Sequence, residues 1–286
     1  EYLPLTRDVG LLVPVDPRLD AIELLMRVPA DAELGVSLWT TGRKQNAVPI
    51  DEQLTTRVAV AGSPDPQWVR IPLDWHPGEP ESVVVVVEAQ EGAELVYRAA
   101  QVPGVLTLVH APQADGDANV EVDESEALIA WPAIPMRGRT LRARLEPATE
   151  AFAAEKAVGG YQRYYGGPQL WASAPVAEGR EEHLALEWNE PVELRQLRVV
   201  FDDDQDVELN TLHHHRTPDE VFPELVRDYV LEVRAGGTWN EVARATDNRR
   251  RQRVHGFDPV RADAARIRVL ATNGVSQARV VALRAY

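Results

Sequence analysis

Asp202, Asp203, Asp204 and Asp206 crowd into one short stretch, FDDDQD, directly after an apolar run. Hard oxygen ligands at such close spacing suit Ca²⁺. The stretch is not an EF-hand, because the required glycine and terminal bidentate Glu are not in place. A solvated acidic loop is the other reading of the same residues. His213, His214 and His215 follow. In an extended segment His213 and His215 share a face and would form a two-ligand imidazole site, with Asp204 or Glu208 as a third ligand. No HExxH spacing accompanies them, so a polar loop with incidental histidines stands beside that reading. Imidazoles in such a loop also hydrogen-bond hydroxyl-rich ligands. Arg249, Arg250 and Arg251, with Arg253, form the dense basic run. Their forked guanidiniums suit carboxylates: those of Asp202–Asp206 within the chain, or that of an acidic ligand. No Gly-x-Ser-x-Gly or phosphate-binding loop occurs, and no cysteine is available as a nucleophile. The sequence therefore offers no set of catalytic residues.

The 286 residues suggest about two domains. The hydrophobic share of 44% allows each half a core. Without cysteine there are neither disulfides nor thiolate metal sites, and the redox compartment is unreadable. A net charge of -15 disfavours nucleic acid and anionic membrane as partners. No apolar run approaches the roughly 20 residues of a membrane span. Lys44 and Lys156 are the only lysines among many arginines, which reads as a GC-rich genome or as use of arginine's bidentate fork. The chain opens on Glu1 without a signal peptide, which reads as a processed chain or a fragment.

Short apolar runs punctuated by turn residues predict an all-β protein of two β-sandwich (jelly-roll) domains, residues 1–146 and 147–286. In the first half, strands are expected over Ala21–Val28, Leu34–Trp39, Arg57–Val60, Trp68–Leu73, Ser82–Ala89, Leu95–Ala99 and Val105–His110. Val69, Ile71 and Leu73 alternate and should face inward. Val83–Val87 is β-branched throughout and should be a central strand covered on both faces. Ala111–Glu126 is acidic and poor in large apolar residues, as a linker would be. Trp131-Pro132 and a strand over Thr140–Leu145 lead to a boundary near Glu146-Pro147. Beyond it, strands are expected over Leu184–Trp188, Leu194–Phe201, Asp228–Arg234, Trp239–Ala243, Arg251–Phe257, Ala265–Leu270 and Ala278–Tyr286. Leu184, Leu186 and Trp188 should share a face. Helix is expected only over Glu150–Lys156 and Pro218–Arg227.

Several motifs in the second half belong together. GYQRYYGGPQLWAS from Gly160, HLALEW from His183 with Pro191-Val192, and LRVVF ending at Phe201 are the first three. RDYVLEV from Arg227, GGTWNEV from Gly236, and ARIRVLA from Ala265 complete the set. Together these 140 or so residues resemble a discoidin, or coagulation-factor type C, domain of the galactose-binding-like class. RYYGGPQLW, FDDDQD and RDYVLEV in combination also resemble the C-terminal accessory region of bacterial FAD-dependent oxidoreductase-like proteins. Pro103-Gly-Val-Leu-Thr107 ahead of Val109-His110 fits the same arrangement. The chain departs from a complete member in having no G-x-G-x-x-G after a strand. On that resemblance FAD would belong to an upstream domain or a partner chain, not to this one. The relatives are bacterial; the compartment stays open, secretion included.

The discoidin resemblance implies ligand binding through loops at one end of the sandwich, where sheets hold the loop ends rigid. Gln162–Trp171, Asp202–Arg216, Thr246–Arg251 and Thr272–Gln277 would reach that end. Arg163, Tyr164 and Tyr165 would supply a platform for a sugar ring and a donor for its hydroxyls, while Trp171 would be core. Tyr164 and Tyr165 would otherwise be structural, beside a Gly-Gly-Pro turn. His213, His214, His215, Arg249, Arg250 and Asn273 complete the expected ligand contacts, and a structural Ca²⁺ would sit on Asp202, Asp203, Asp204 and Asp206. In the first half, Trp39, Arg43, Asn46, Trp75 and His76 would line a second cleft, though both tryptophans are as readily core. The expected function is a non-catalytic carbohydrate-binding module. Its alternatives are part of a flavin-dependent oxidoreductase and a purely structural pair of partner-binding domains.

Overall fold

Apolar residues that recur at every second position bury one face of a strand, and two such faces close a core without helices. The computed structural model follows that rule. It describes residues 1–41, 49–99, 102–111, 133–136, 138–160, 162, 169–176, 181–203 and 221–286. These divide into two units, 1–151 and 152–286. Apart from one 3₁₀ turn, Ala154–Val158, every element among the described residues is a strand. No helix among them is long and apolar enough to cross a membrane. The all-β expectation holds.

Unit 1 contains β1 (Tyr2–Pro4), β2 (Val9–Val15), β3 (Leu19–Val28), β4 (Ala32–Thr40), β5 (Asp51–Val60) and β6 (Ser63–Trp75). β7 (Glu81–Val87), β8 (Glu94–Arg98), β9 (Leu106–His110), β10 (Ala133–Pro135), β11 (Thr140–Leu141) and β12 (Ala143–Glu146) complete it. One sheet runs β1-β8-β3-β12, with β11 on β8 and β6 on β3; the other runs β10-β9-β2-β7-β4-β5. Ile22, Leu24, Val36, Leu38 and Ile71 from both sheets form the core. Val69, Ile71 and Leu73 point into it, as their alternation requires. Val83 to Val87 are all buried: the odd-numbered valines join the core, while Val84 and Val86 pack with Leu12, Trp39, Leu106 and Leu108. Strand β2 has no counterpart among the expected strands, although it is central. Pro14 argues against a central strand. It lies past Leu12, the last residue of β2 that pairs with β9, so on that side there is no ladder bond to break.

Unit 2 is built from β13 (Trp171–Pro175), β14 (Glu182–Phe201), β15 (Val226–Ala235), β16 (Thr238–Ala245), β17 (Gln252–Thr272) and β18 (Gln277–Ala285). Four separate strands were expected where β14 and β17 each run unbroken for 20 and 21 residues. Residues 182–187 of β14 pair with 264–269 of β17, which also pairs with β15. Residues 196–200 pair with 252–256, and β14 there also pairs with β18. The register shifts between Glu187 and Val192 and between Leu194 and Gln196. Pro191 and Pro259 sit in these breaks, where a missing N–H removes no ladder bond. The single ladder thus bends into two layers. Leu231, Val233, Ile267 and Val269 of one layer meet Leu197, Val199, Phe201 and Leu283 of the other. Gly236 and Gly237, both at positive φ, make the two-residue turn from β15 to β16 that a side chain would strain. The helix expected over Pro218–Arg227 is absent from its described part: Val221–Leu225 is bend and turn, and β15 starts at Val226. The helix expected over Glu150–Lys156 is only the 3₁₀ turn, tied through Lys156 N to Ala153 O.

Candidate ligand-binding site

The end of β14, the start of β15, the β16–β17 turn and the β17–β18 turn converge at one pole of unit 2. Irregular backbone must still find partners for its N–H and C=O groups. Here two asparagines supply them. Asn248, 1% exposed, donates from Nδ2 to Val226 O at 2.8 Å and to Arg250 O at 3.0 Å. Its Oδ1 accepts from Arg250 N at 3.2 Å and from Arg253 at 3.1 Å. Asn273 donates from Nδ2 to Leu225 O and to Asn248 O, each at 3.1 Å. Asp247 precedes this hub with φ 49, a conformation that aspartate tolerates, and its N–H is held by Asp228. Gly274 is fixed by a close approach: a Cβ there would lie 2.6 Å from Pro223 Cβ.

Two cation contacts extend the network. Arg251 donates to Gln162 O, and its Nε lies 2.8 Å from Asp203 Oδ1 in a misaligned, Coulombic contact. Arg198 donates to Gln162 Oε1 at 3.2 Å and to Gln252 Oε1 at 2.9 Å. Deeper, Arg279 and Asp202 pair at 3.1 Å with exposures of 0% and 1%. The pole thus joins Gln162, Asp202–Asp203, Leu225–Val226, Asn248–Arg251 and Asn273, which are distant in sequence.

The expected site residues divide accordingly. Arg249 is exposed, with Nε 3.5 Å from Asp247. Arg250 is exposed, and its guanidinium meets no partner among the described residues. Asn273 uses both amide N–H groups on loop carbonyls, so as a donor it serves the fold. Asp203 meets Arg251 of the arginine run, while Asp202 is taken by Arg279 of β18. Arg163, Tyr164, Tyr165, Asp204, Asp206, His213, His214 and His215 lie outside the described residues, as do Glu208, Arg43 and Asn46. Trp171 packs in the core. Trp39 and Trp75 do not share a cleft: Trp39 packs with Val84 and Val86, and Trp75 against the core between the sheets. His76 pairs with Asp74, and with Asp20 they place three ligand atoms within 4.8 Å. Asp20, however, is already gripped by two nitrogens of Arg18 at 2.6 Å. A shallow cavity of about 200 Å³ in unit 2, lined by Ala157, Val158, Leu184 and Leu186, has few convergent polar groups. Sequence reasoning passed over Asn248, Gln162 and Arg198. For Asn248 the signal was the Thr-Asp-Asn turn before the arginines.

Behind the pole, Tyr229 O–H lies 2.8 Å from His255 Nε2, with the phenol ring 5.1 Å from that of Phe201. Burial, partly opposed by Arg253, pushes the Tyr229 pKa up to about 12. Burial and then Arg253 hold His255 below its ordinary 6.5. Both groups are neutral near pH 7, and one hydrogen bond joins the hydroxyl and Nε2. A histidine depressed in the folded state stabilises above the unfolded pKa and loses that contribution as pH falls. A tyrosine raised in the folded state loses its contribution as pH climbs from 10 towards 12. The melting temperature of unit 2 is therefore expected to fall as pH drops below about 6.5, and less steeply in His255→Gln. Parallel pH profiles for the two proteins in calorimetry would refute the assignment.

No protein-family model matches the chain, and no curated protein does. Among solved structures it is similar to the family 32 carbohydrate-binding module from Streptococcus pneumoniae EndoD. The identity is 14% and the TM-score 0.39, over 49% of this chain and 88% of that one. It is similar to the family 32 module from C. perfringens NanJ in complex with galactose, at 14% identity and TM-score 0.35, over 48% and 86%. It is also similar to chitosan-binding module 2 from the Paenibacillus sp. IK-5 chitosanase/glucanase, in complex with chitotriose. There the identity is 15% and the TM-score 0.36, over 48% and 88%.

Proposed function

We propose that unit 2 is a ligand-binding module that takes a carbohydrate at the Asn248 pole. The observation that supports this reading is the hydrogen-bonded network of Asn248, Asn273 and Arg251. It holds five separate segments in fixed relation while Arg249 and Arg250 stay exposed beside it. Saccharides are recognised by donors and acceptors whose positions do not shift on binding, because ordering loops at that moment subtracts from affinity. The stretches carrying Arg163–Tyr165 and Asp204–His215 run on from Gln162 and Asp203, the two residues that Arg251 brings together. The discoidin resemblance implies an aromatic platform in the first of these stretches, and we take it as part of the same ligand site. The test is a glycan array probed with the full chain, followed by titration calorimetry on the best glycan. Arg163→Ala and Tyr165→Ala are each expected to weaken binding about tenfold, in line with the loss of one stacked or charge-assisted contact. Their melting temperatures should match that of the unaltered chain. Unchanged affinity in both variants removes these residues from the site. An array on which no glycan is bound overturns the reading.

A further inference from the structure

We infer that the ligand of this pole carries a carboxylate, and that Arg250 is the residue that grips it; the inference rests on the carbohydrate reading above. The chain has 45 acidic residues against 30 basic ones, so an arginine readily finds a carboxylate of its own. Arg227 does so at Asp228, Arg251 at Asp203 and Arg279 at Asp202, while Arg253 is met by the Asn248 amide. Among the described residues the guanidinium of Arg250 has none of these.

Its backbone, by contrast, is held on both sides by one buried side chain. Asn248 Oδ1 accepts from Arg250 N, and Asn248 Nδ2 donates to Arg250 O, at 3.2 and 3.0 Å. These bonds satisfy the turn's backbone, and they also fix the point from which the Arg250 side chain projects. A recognition arginine gains from that, because the backbone beneath it need not be ordered on binding. A guanidinium presents two parallel N–H groups, and a carboxylate presents two oxygens at matching separation, which defines the ligand group better than a lone hydroxyl would. The corresponding ligands are uronic- and sialic-acid saccharides.

The experiment uses the full chain on an array of acidic glycans, their carboxyl methyl esters and sulfated glycans, with calorimetry on matched pairs. The acid form is expected to bind at least about tenfold more tightly than its methyl ester, as for a charge-assisted hydrogen-bonded pair. That advantage should shrink with rising salt. Arg250→Gln should lower the acid form to near the level of the ester, weaken the ester far less, and keep the melting temperature. Arg250→Lys should restore only part of the preference, since it keeps the charge but loses the fork. Equal binding of acid and ester overturns this inference and leaves the carbohydrate reading standing; so does a preference confined to sulfated glycans. Full preference retained in Arg250→Gln removes Arg250 from the role. No binding to any glycan overturns both.

Discussion

Asp202→Ala is expected to destabilise unit 2 by about 3–5 kcal/mol, because it removes one member of a buried ion pair. Arg279 is 0% exposed and Asp202 1%, and the two meet at 3.1 Å. Neither can turn to water when its partner is removed. The pair joins the end of β14 to β18, whose partners Val200 and Ala282 lie just before the pole. The loss should therefore appear as a lower denaturation midpoint of unit 2, with local exposure around Phe201. Replacing both members together, Asp202→Leu with Arg279→Met, should recover most of the stability, since an apolar pair of similar volume removes both desolvation costs. A loss below about 1 kcal/mol for Asp202→Ala, the range of exposed pairs, would mean that the charges reach solvent. The pairing also defines what Asp202 does within its acidic run: its carboxylate neutralises an interior cation.

Asn248→Ala should rank next, at about 2–4 kcal/mol, since each buried group left without a partner costs about 1–3 kcal/mol and part of this pole can be reached by water. The variant removes the two donors that serve Val226 O and Arg250 O, and the acceptor for Arg250 N and Arg253. Hydrogen exchange is expected to quicken at Arg250 and at Asn273, whose Nδ2 also bonds to the backbone of residue 248. Glycan binding should fall together with stability. In Arg250→Gln the two should separate, binding falling while stability stays. Native-like exchange at Arg250 in Asn248→Ala would show that the turn is held by other bonds.

Much of the fold follows from local pattern. The five valines of β7 are buried wherever that strand is placed, because no face of such a run suits water. Gly236-Gly237 allows the positive φ of a two-residue turn whatever surrounds it. Prolines resist the same reasoning. A proline is at home at a strand end or a bulge, yet Pro14, Pro191 and Pro259 lie within β2, β14 and β17. Whether a missing N–H matters depends on which strand lies alongside, and β9 stops short of Pro14, while bulges absorb the other two. The short helix expected over Glu150–Lys156 had suitable residues. It lies instead as a 3₁₀ turn packed on β18 and β13.

The site was legible as residue types and illegible as roles. Arg249, Arg250 and Arg251 are chemically identical and adjacent. One lies beside Asp247, one has no partner among the described residues, and one is bonded to Gln162, 89 residues away. Asp202 and Arg279 are 77 residues apart, and nothing local to either marks them as a buried pair. Alternation of apolar side chains is a property of neighbouring residues, so it determines strands, faces and an all-β body from sequence alone. The meeting of charges and amides depends on which strand ends share a pole. That was decided only when the bent β14–β17 ladder brought those ends together.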